Sequence, residues 1–194
     1  RSKNFLLFTV FFLSQSLAFS QSNIESPVKC SRASSSISQR IEYYQYQSMN
    51  KYDLKYLKLD ISAETGSRDI SGNALTVAKT TSILDTFITE LRDNMIVDSV
   101  FINGTRKVFN RNADHIFVPL SPAVPVGQTI STLIYYHGTA NSSGVYSGTI
   151  ASNGLNYTAS LSESYQAREW FPIKQFLQDK IDSADIWITT SSLR

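Results

Sequence analysis

The sequence predicts an all-β domain built as an antiparallel sandwich or curved sheet. Three observations favour this class. Apolar residues alternate with polar ones over several short runs, turn-forming residues separate these runs, and helical periodicity is scarce. A regular succession of strands and long helices is missing, which argues against a parallel α/β fold.

The first strand begins near Tyr52. Its apolar positions are Leu54, Tyr56, Leu57, Leu59 and Ile61, a mostly alternating pattern that is typical of a half-buried strand. Similar runs predict further strands over residues 70–77, 83–88, 116–120, 130–136, 155–161 and 186–190.

A hairpin is the clearest local signal. Two β-prone runs, residues 99–102 and 105–109, flank the dipeptide Asn103-Gly104. Asn-Gly accepts positive φ at both central positions of a two-residue turn, so the sequence predicts a tight hairpin there.

The N-terminal residues have the layout of a secretory signal peptide. Arg1 and Lys3 precede an apolar run over residues 5–13, and small and polar residues follow up to Gln21. The run is shorter than the ~20 residues that a membrane span needs. We therefore expect a signal peptide at 1–20, cleavage near Ser20, export from the cytoplasm and no transmembrane span after cleavage. Residues 21–50 are expected to be a polar linker with a short helix, and 51–194 the β-rich domain.

The charge of the mature chain argues against a polyanionic partner. The 18 Lys and Arg residues include Arg1 and Lys3, so 18 − 2 = 16 remain after cleavage, and these balance the 16 Asp and Glu residues. A neutral chain lacks a general attraction to nucleic acid or to an anionic membrane.

The sequence contains no complete catalytic centre. The two histidines, His115 and His137, lie 22 positions apart without a second histidine or a cysteine at ligand spacing, and the zinc motif His-Glu-x-x-His is missing. Asp179, Asp182 and Asp185 are interpreted as a solvated acidic edge that pairs with Lys180, because the glycine and glutamate of a calcium loop are missing.

One segment is unusually dense in both charged and aromatic residues. Residues 161–174 include Glu163, Arg168, Trp170 and Phe171 and end on Lys174. Such a composition is typical of a chain that crosses a packed, partly desolvated surface.

This segment resembles the end of the N-terminal domain of zinc aminopeptidases related to aminopeptidase N and leukotriene hydrolase. The resemblance is carried by Ser162-Glu163, Ala167-Arg168, Trp170-Phe171-Pro172 and Asp179-Lys180-Ile181-Asp182-Ser183, and the forms are most similar to Bacteroidetes versions. It departs at Ile173, where many members have cysteine. Weaker similarities follow in the family's order from Tyr52 to Tyr136-His137-Gly138, so the resemblance covers residues 52–190.

The resemblance implies a saddle-like sheet that packs on a separate catalytic domain and is truncated at its C-terminal end here. Zinc, its ligands and the general base are then expected in that absent domain, and this chain alone has no cofactor and no activity. The resemblance also implies one substrate-binding residue, Glu163, whose position five residues before Arg168 matches a family residue that holds the substrate's free α-amino group. The implied partners are the N-terminus of a peptide substrate and the intramolecular catalytic domain.

Two other hypotheses stay open. The chain is alternatively a standalone secreted β-sandwich binding module for carbohydrate or adhesion, in which Tyr135, Tyr136 and Trp170 stack on sugars. It is otherwise a structural scaffold domain within another secreted protein.

Overall fold

A computed structural model describes residues 46–163, 165–176 and 178–191, and it confirms the all-β class. The eleven strands of these ranges are β1 Tyr52–Ala63, β2 Asp69–Thr80, β3 Leu84–Glu90, β4 Met95–Ile102, β5 Thr105–Lys107, β6 Asn110–Asn112, β7 His115–Val124, β8 Thr129–Thr139, β9 Val145–Thr149, β10 Asn156–Ser160 and β11 Ser183–Thr189. Two short 3₁₀-helices, Gln47–Lys51 and Ala167–Glu169, accompany them. Across the same ranges, no helix has the length and apolar character required to cross a bilayer. The expected signal peptide and most of the linker lie outside the described residues.

The strands form three sheets, and antiparallel pairing dominates as predicted. The largest sheet has six strands in the order β11-β1-β2-β8-β4-β5, the second has the order β3-β7-β6, and β10 pairs with β9. Neighbouring strands pair antiparallel except β1 and β11, which run parallel.

The imperfect alternation of β1 has a structural cause. The register to β2 shifts between Leu54 and Tyr56, which is a β-bulge. The extra residue changes the phase, so Leu54 and Leu57 are both buried while Tyr56 lies on the other, half-exposed face. Each fully buried leucine contributes about 1.5–3 kcal/mol to folding.

The predicted hairpin at Asn103-Gly104 is confirmed. Ile102 pairs with Thr105 across the turn, and both turn residues have positive φ, 48° and 78°. The Asn103 side chain also accepts a hydrogen bond of 2.8 Å from the Ser131 amide, which ties the turn to β8.

The core lies between the inner face of the six-stranded sheet and the three-stranded sheet. Tyr52 of β1 stacks on Phe87 of β3 with ring centroids 4.9 Å apart, and the Tyr52 hydroxyl donates to the Ile88 carbonyl at 2.6 Å. This packing fixes β3 and the turn that follows it, which anchor the segment described below.

Three elements differ from the prediction. The short strands β6 and β9 were not predicted, because their runs Asn-Arg-Asn and Val-Tyr-Ser-Gly-Thr carry little apolar alternation. Strand β7 continues past Leu120 through Pro122 to Val124. Its pairing with β3 shifts register opposite Leu84 and Thr86, and such an irregularity accommodates proline in a strand.

Candidate functional site

The segment that carries Glu163 runs over residues 161–173, after β10 and before β11. It begins with a hydrogen bond of 2.9 Å from the Leu161 amide to the Gly144 carbonyl. The chain then turns at Tyr165, whose φ is 77°, and enters the 3₁₀-helix Ala167–Glu169. We refer to residues 161–173 as the Glu163 segment.

Glu163 lies on the surface. The residue is exposed to solvent, and the Glu163 carboxylate has no hydrogen-bond partner among the residues that the structure describes. The neighbouring Ser162 hydroxyl accepts a hydrogen bond of 3.1 Å from the indole Nε1 of Trp170. Glu163 is thus an accessible carboxylate next to an anchored residue, which is an arrangement suited to binding a cation.

The aromatic pair of the segment is buried beneath this surface. Trp170 and Phe171 are each 6% exposed, and their rings meet edge to face with centroids 4.6 Å apart. The prediction that residues 161–174 cross a packed surface is confirmed for this part of the segment.

A buried carboxylate, Glu90 at the end of β3, holds the segment from below. One oxygen accepts from the Arg168 guanidinium at 3.0 Å, and the other accepts from the Gln175 amide at 3.0 Å. The backbone of Glu90 pairs with Ile173 in both directions, at 3.2 and 2.9 Å. Burial raises the pKa of Glu90, and the contacts with the Gln175 amide and Arg168 partly offset this effect.

Further ion pairs extend from Arg168 across the turn after β3. Arg92 contacts Asp114 at 2.9 Å and Glu169 at 3.1 Å, and the Arg92 amide donates to the Arg168 carbonyl at 2.9 Å. Burial raises the pKa of Glu169, while the charge of Arg92 opposes that shift. His115 packs against the same cluster, with its Nε2 3.8 Å from Glu90, and burial lowers its pKa.

A second buried charge, Lys174, follows the Glu163 segment. Its ammonium donates to the carbonyls of Met49 at 2.8 Å and Tyr52 at 2.7 Å, and it contacts the carboxylate of Asp179. It also lies 4.4 Å from the centre of the Tyr52 ring. Burial lowers the pKa of Lys174, and Asp179 opposes this effect. A cavity of about 430 Å³ opens beside this ion pair.

The predicted acidic edge is therefore wrong for Asp179. Its side chain is only 8% exposed and pairs with Lys174 rather than with Lys180. The Leu54 amide also donates to it, at 3.1 and 3.4 Å. Asp182 instead pairs with Lys55, at 3.3 Å. The buried Lys174 ammonium and the Leu54 amide need Asp179 as their partner, and the three-residue spacing of the aspartates gave no sign of this.

The sugar-stacking residues of the alternative hypothesis do not form one exposed surface. Tyr135 is 40% exposed on β8, whereas Tyr136 is 1% exposed and Trp170 is 6% exposed, so neither of the latter offers a ring face to a sugar.

The described residues do not gather a metal site. Within the described ranges, no three or more His, Cys, Asp or Glu side chains are placed to hold an ion. His115 is buried next to Glu90. His137 lies on the outer face of β8, where its Nδ1 is 3.0 Å from the Asp98 carboxylate.

Comparisons with known proteins bear on the fold. No protein-family model matches the sequence, and no curated protein matches it either. Among solved structures, an M1 zinc metallopeptidase from Deinococcus radiodurans is similar, with a TM-score of 0.61 and 23% identity over 72% of this chain and 32% of that chain. A variant of that enzyme bound to a Tyr-Ser-Ala substrate is similar with a TM-score of 0.60 and 21% identity. Leukotriene A4 hydrolase from Saccharomyces cerevisiae has a TM-score of 0.61 and 18% identity over 81% of this chain and 27% of that chain.

The chain spans about a third or less of the length of these solved proteins. Both kinds of enzyme are the ones that the sequence resemblance indicated, and the resemblance is confirmed at the level of the fold. The described chain has the N-terminal-domain fold of the M1 zinc metallopeptidases and leukotriene A4 hydrolases.

Proposed function

We propose that this chain is the non-catalytic N-terminal domain of a secreted zinc aminopeptidase and that Glu163 binds the free α-amino group of the peptide substrate. The observation that carries the proposal is the exposed Glu163 carboxylate, on a firmly anchored segment of a domain with the M1 metallopeptidase fold.

The chemistry of Glu163 fits this role. A carboxylate forms a charge-assisted hydrogen bond with an ammonium, and such bonds are about twice as strong as those between neutral groups. An internal peptide bond offers no ammonium, so a carboxylate at this place would favour the end of a chain over its interior. Glu163 orients the substrate in this proposal and does not activate water.

Zinc would come from residues outside the described part of this chain. The described residues do not fit a catalytic zinc, because such a site usually takes three protein ligands and His115 and His137 lie on different faces of the fold. Zinc bound elsewhere in the protein would supply a Lewis acid for the scissile carbonyl and an activated water. This chain contributes the amino anchor and a surface for packing.

The proposal includes export of the protein. The basic, apolar and small residues of positions 1–20 support it. The partner in the same polypeptide is a catalytic domain, and the external partner is a peptide with a free N-terminus.

The test uses the full-length protein that carries this chain. The gene is first read beyond the codon for Arg194, where a sequence containing His-Glu-x-x-His is expected. The protein is then assayed on aminoacyl anilides with bound zinc quantified. We expect Glu163→Ala to lower kcat/KM by about 2–5 kcal/mol in transition-state free energy if the ion pair with the ammonium is desolvated.

Two controls make the test specific. Asp98→Asn removes another exposed carboxylate, on the outer face of the six-stranded sheet, and should leave kcat/KM unchanged. A substrate with an acetylated α-amino group should be equally poor for wild type and Glu163→Ala. Unchanged kcat/KM of Glu163→Ala on the free-amino substrate would refute the assigned role.

A further inference from the structure

We propose that Trp170 is a positioning residue for Glu163 and that the buried Glu90–Arg168 pair holds Trp170 in place. This inference rests on the proposed function, because it concerns how the same carboxylate is held before substrate arrives.

The first step is the contact between Trp170 and the residue beside Glu163. The indole Nε1 donates to the Ser162 hydroxyl at 3.1 Å, across eight positions of sequence. An indole N–H is only a donor and points in one direction from a rigid ring, so it fixes the place of its acceptor. Ser162 is itself exposed, and its hydroxyl therefore gains more order from this bond than a buried hydroxyl would.

The second step is the rigidity of Trp170. The ring is buried against Phe171, and the Trp170 and Phe171 amides both donate to the Ala167 carbonyl, at 3.2 and 3.1 Å. The indole is thereby fixed relative to the 3₁₀-helix Ala167–Glu169.

The third step is the attachment of this helix to the domain. The Arg168 guanidinium donates to the buried Glu90 carboxylate at 3.0 Å, and the Arg168 carbonyl accepts from the Arg92 amide at 2.9 Å. Ile173, on the other side of Trp170, pairs with the Glu90 backbone. Both flanks of Trp170 are therefore attached to the end of β3 and its following turn.

These contacts form one path from the core to the surface. It runs from Glu90 through Arg168 and Trp170 to Ser162, and Glu163 is the next residue. Leu161, two residues before Glu163, is held separately by Gly144. A binding carboxylate that is fixed in advance loses less conformational freedom on binding, and its affinity rises accordingly.

The experiment measures KM and kcat of the full-length protein on an aminoacyl anilide with a free α-amino group. Trp170→Phe keeps a buried ring and removes the N–H, and Ser162→Ala removes the acceptor from an exposed position. Each should raise KM about fivefold, the equivalent of one hydrogen bond, with kcat changed less than twofold. Trp187→Phe is the matched control, because this second tryptophan is 59% exposed on β11.

A cycle with Glu163→Ala separates positioning from general stability. If Trp170 acts through Glu163, Trp170→Phe should raise KM in the wild type and have no further effect in the Glu163→Ala variant, which has lost the carboxylate.

The outcomes distinguish this inference from the proposed function. No effect of Glu163→Ala on KM and on kcat/KM would overturn both. A raised KM in Glu163→Ala, together with an unchanged KM in Ser162→Ala and Trp170→Phe, would overturn only the positioning role. An equal rise of KM from Trp170→Phe in the presence and absence of Glu163 would also overturn it. Because Ser162 is exposed, its variant decides the matter even if Trp170→Phe fails to fold.

Discussion

Replacement of Lys174 by methionine should be among the most destabilising single changes in the domain. Methionine has a similar length but no charge, so the buried carboxylate of Asp179 loses its partner, and the carbonyls of Met49 and Tyr52 lose a donor. Removal of one member of a buried ion pair typically costs about 3–5 kcal/mol. Asp179 keeps its bond from the Leu54 amide, and water in the neighbouring 430 Å³ cavity can partly solvate it. We therefore expect a loss near the lower end, about 3 kcal/mol.

Urea unfolding followed by tryptophan fluorescence measures this loss. The urea concentration at the unfolding midpoint should fall. The slope of unfolding free energy against urea concentration should stay constant, because the surface exposed on unfolding does not change. Lys180→Met is the matched control, since Lys180 is exposed and should cost no more than about 0.5 kcal/mol. Addition of Asp179→Asn to Lys174→Met should recover part of the loss, because the unpaired charge is removed. A loss below about 1 kcal/mol in Lys174→Met would refute the assignment of Lys174 as an essential buried partner.

The remaining predictions concern pH, backbone geometry and export. Burial lowers the pKa of His115, so the unfolded chain binds this proton more tightly, and His115 costs stability as the pH falls below about 6.5. Buried carboxyl groups of raised pKa change stability in the opposite sense, so the effect of His115 must be isolated by comparing His115→Gln with wild type and with His137→Gln. The unfolding free energy of His115→Gln should fall less steeply as the pH is lowered. An unchanged dependence of unfolding free energy on pH would contradict this. A Cβ on Gly72 would lie 2.2 Å from a backbone oxygen of β1, whereas one on Gly104 meets nothing within 4 Å. Gly72→Ala should therefore cost at least about 3 kcal/mol in urea unfolding and Gly104→Ala about 1 kcal/mol, and equal losses would exclude the clash as the cause. Mass spectrometry of the exported protein should find its N-terminus within a few residues of Gln21, and retention of residues 5–13 would refute cleavage.

Local signals in the sequence predicted most of the larger sheet. The hairpin at Asn103-Gly104 needs only two residues that accept positive φ, and the inward positions of β1 follow from alternation once the bulge after Leu54 is allowed. The parallel pairing of β11 with β1 was not predictable in this way. It joins Tyr56 to Ser183, 127 positions apart, and no local pattern encodes such a contact.

The candidate site was predictable only in part. The family resemblance selected Glu163, but composition and spacing did not distinguish it from another surface glutamate. Nothing in the sequence indicated Glu90, because a single glutamate at the end of an apolar run usually marks where a strand reaches solvent. The structure places it at 4% exposure, with the Glu163 segment built on it.

The high charge of residues 161–176 follows from the way this stretch is buried. Phe171, Pro172 and Ile173 lie in the interior without regular strand pairing on both sides, so nearby backbone groups need partners that a sheet does not supply. The Glu90 carboxylate accepts a hydrogen bond from the Gln175 amide. The Lys174 ammonium donates to the carbonyls of Met49, which precedes β1, and of Tyr52, which begins it. Charged side chains are long enough to reach such groups, and each then needs a counter-charge, which Arg168 and Asp179 provide. A dense mixture of charges and aromatic residues therefore indicates an irregular segment that is buried and satisfied by side chains. Glu163 is the acidic residue of this stretch that remains on the surface. Its carboxylate is therefore available to a ligand, whereas the buried charged groups of the stretch already have partners within the fold.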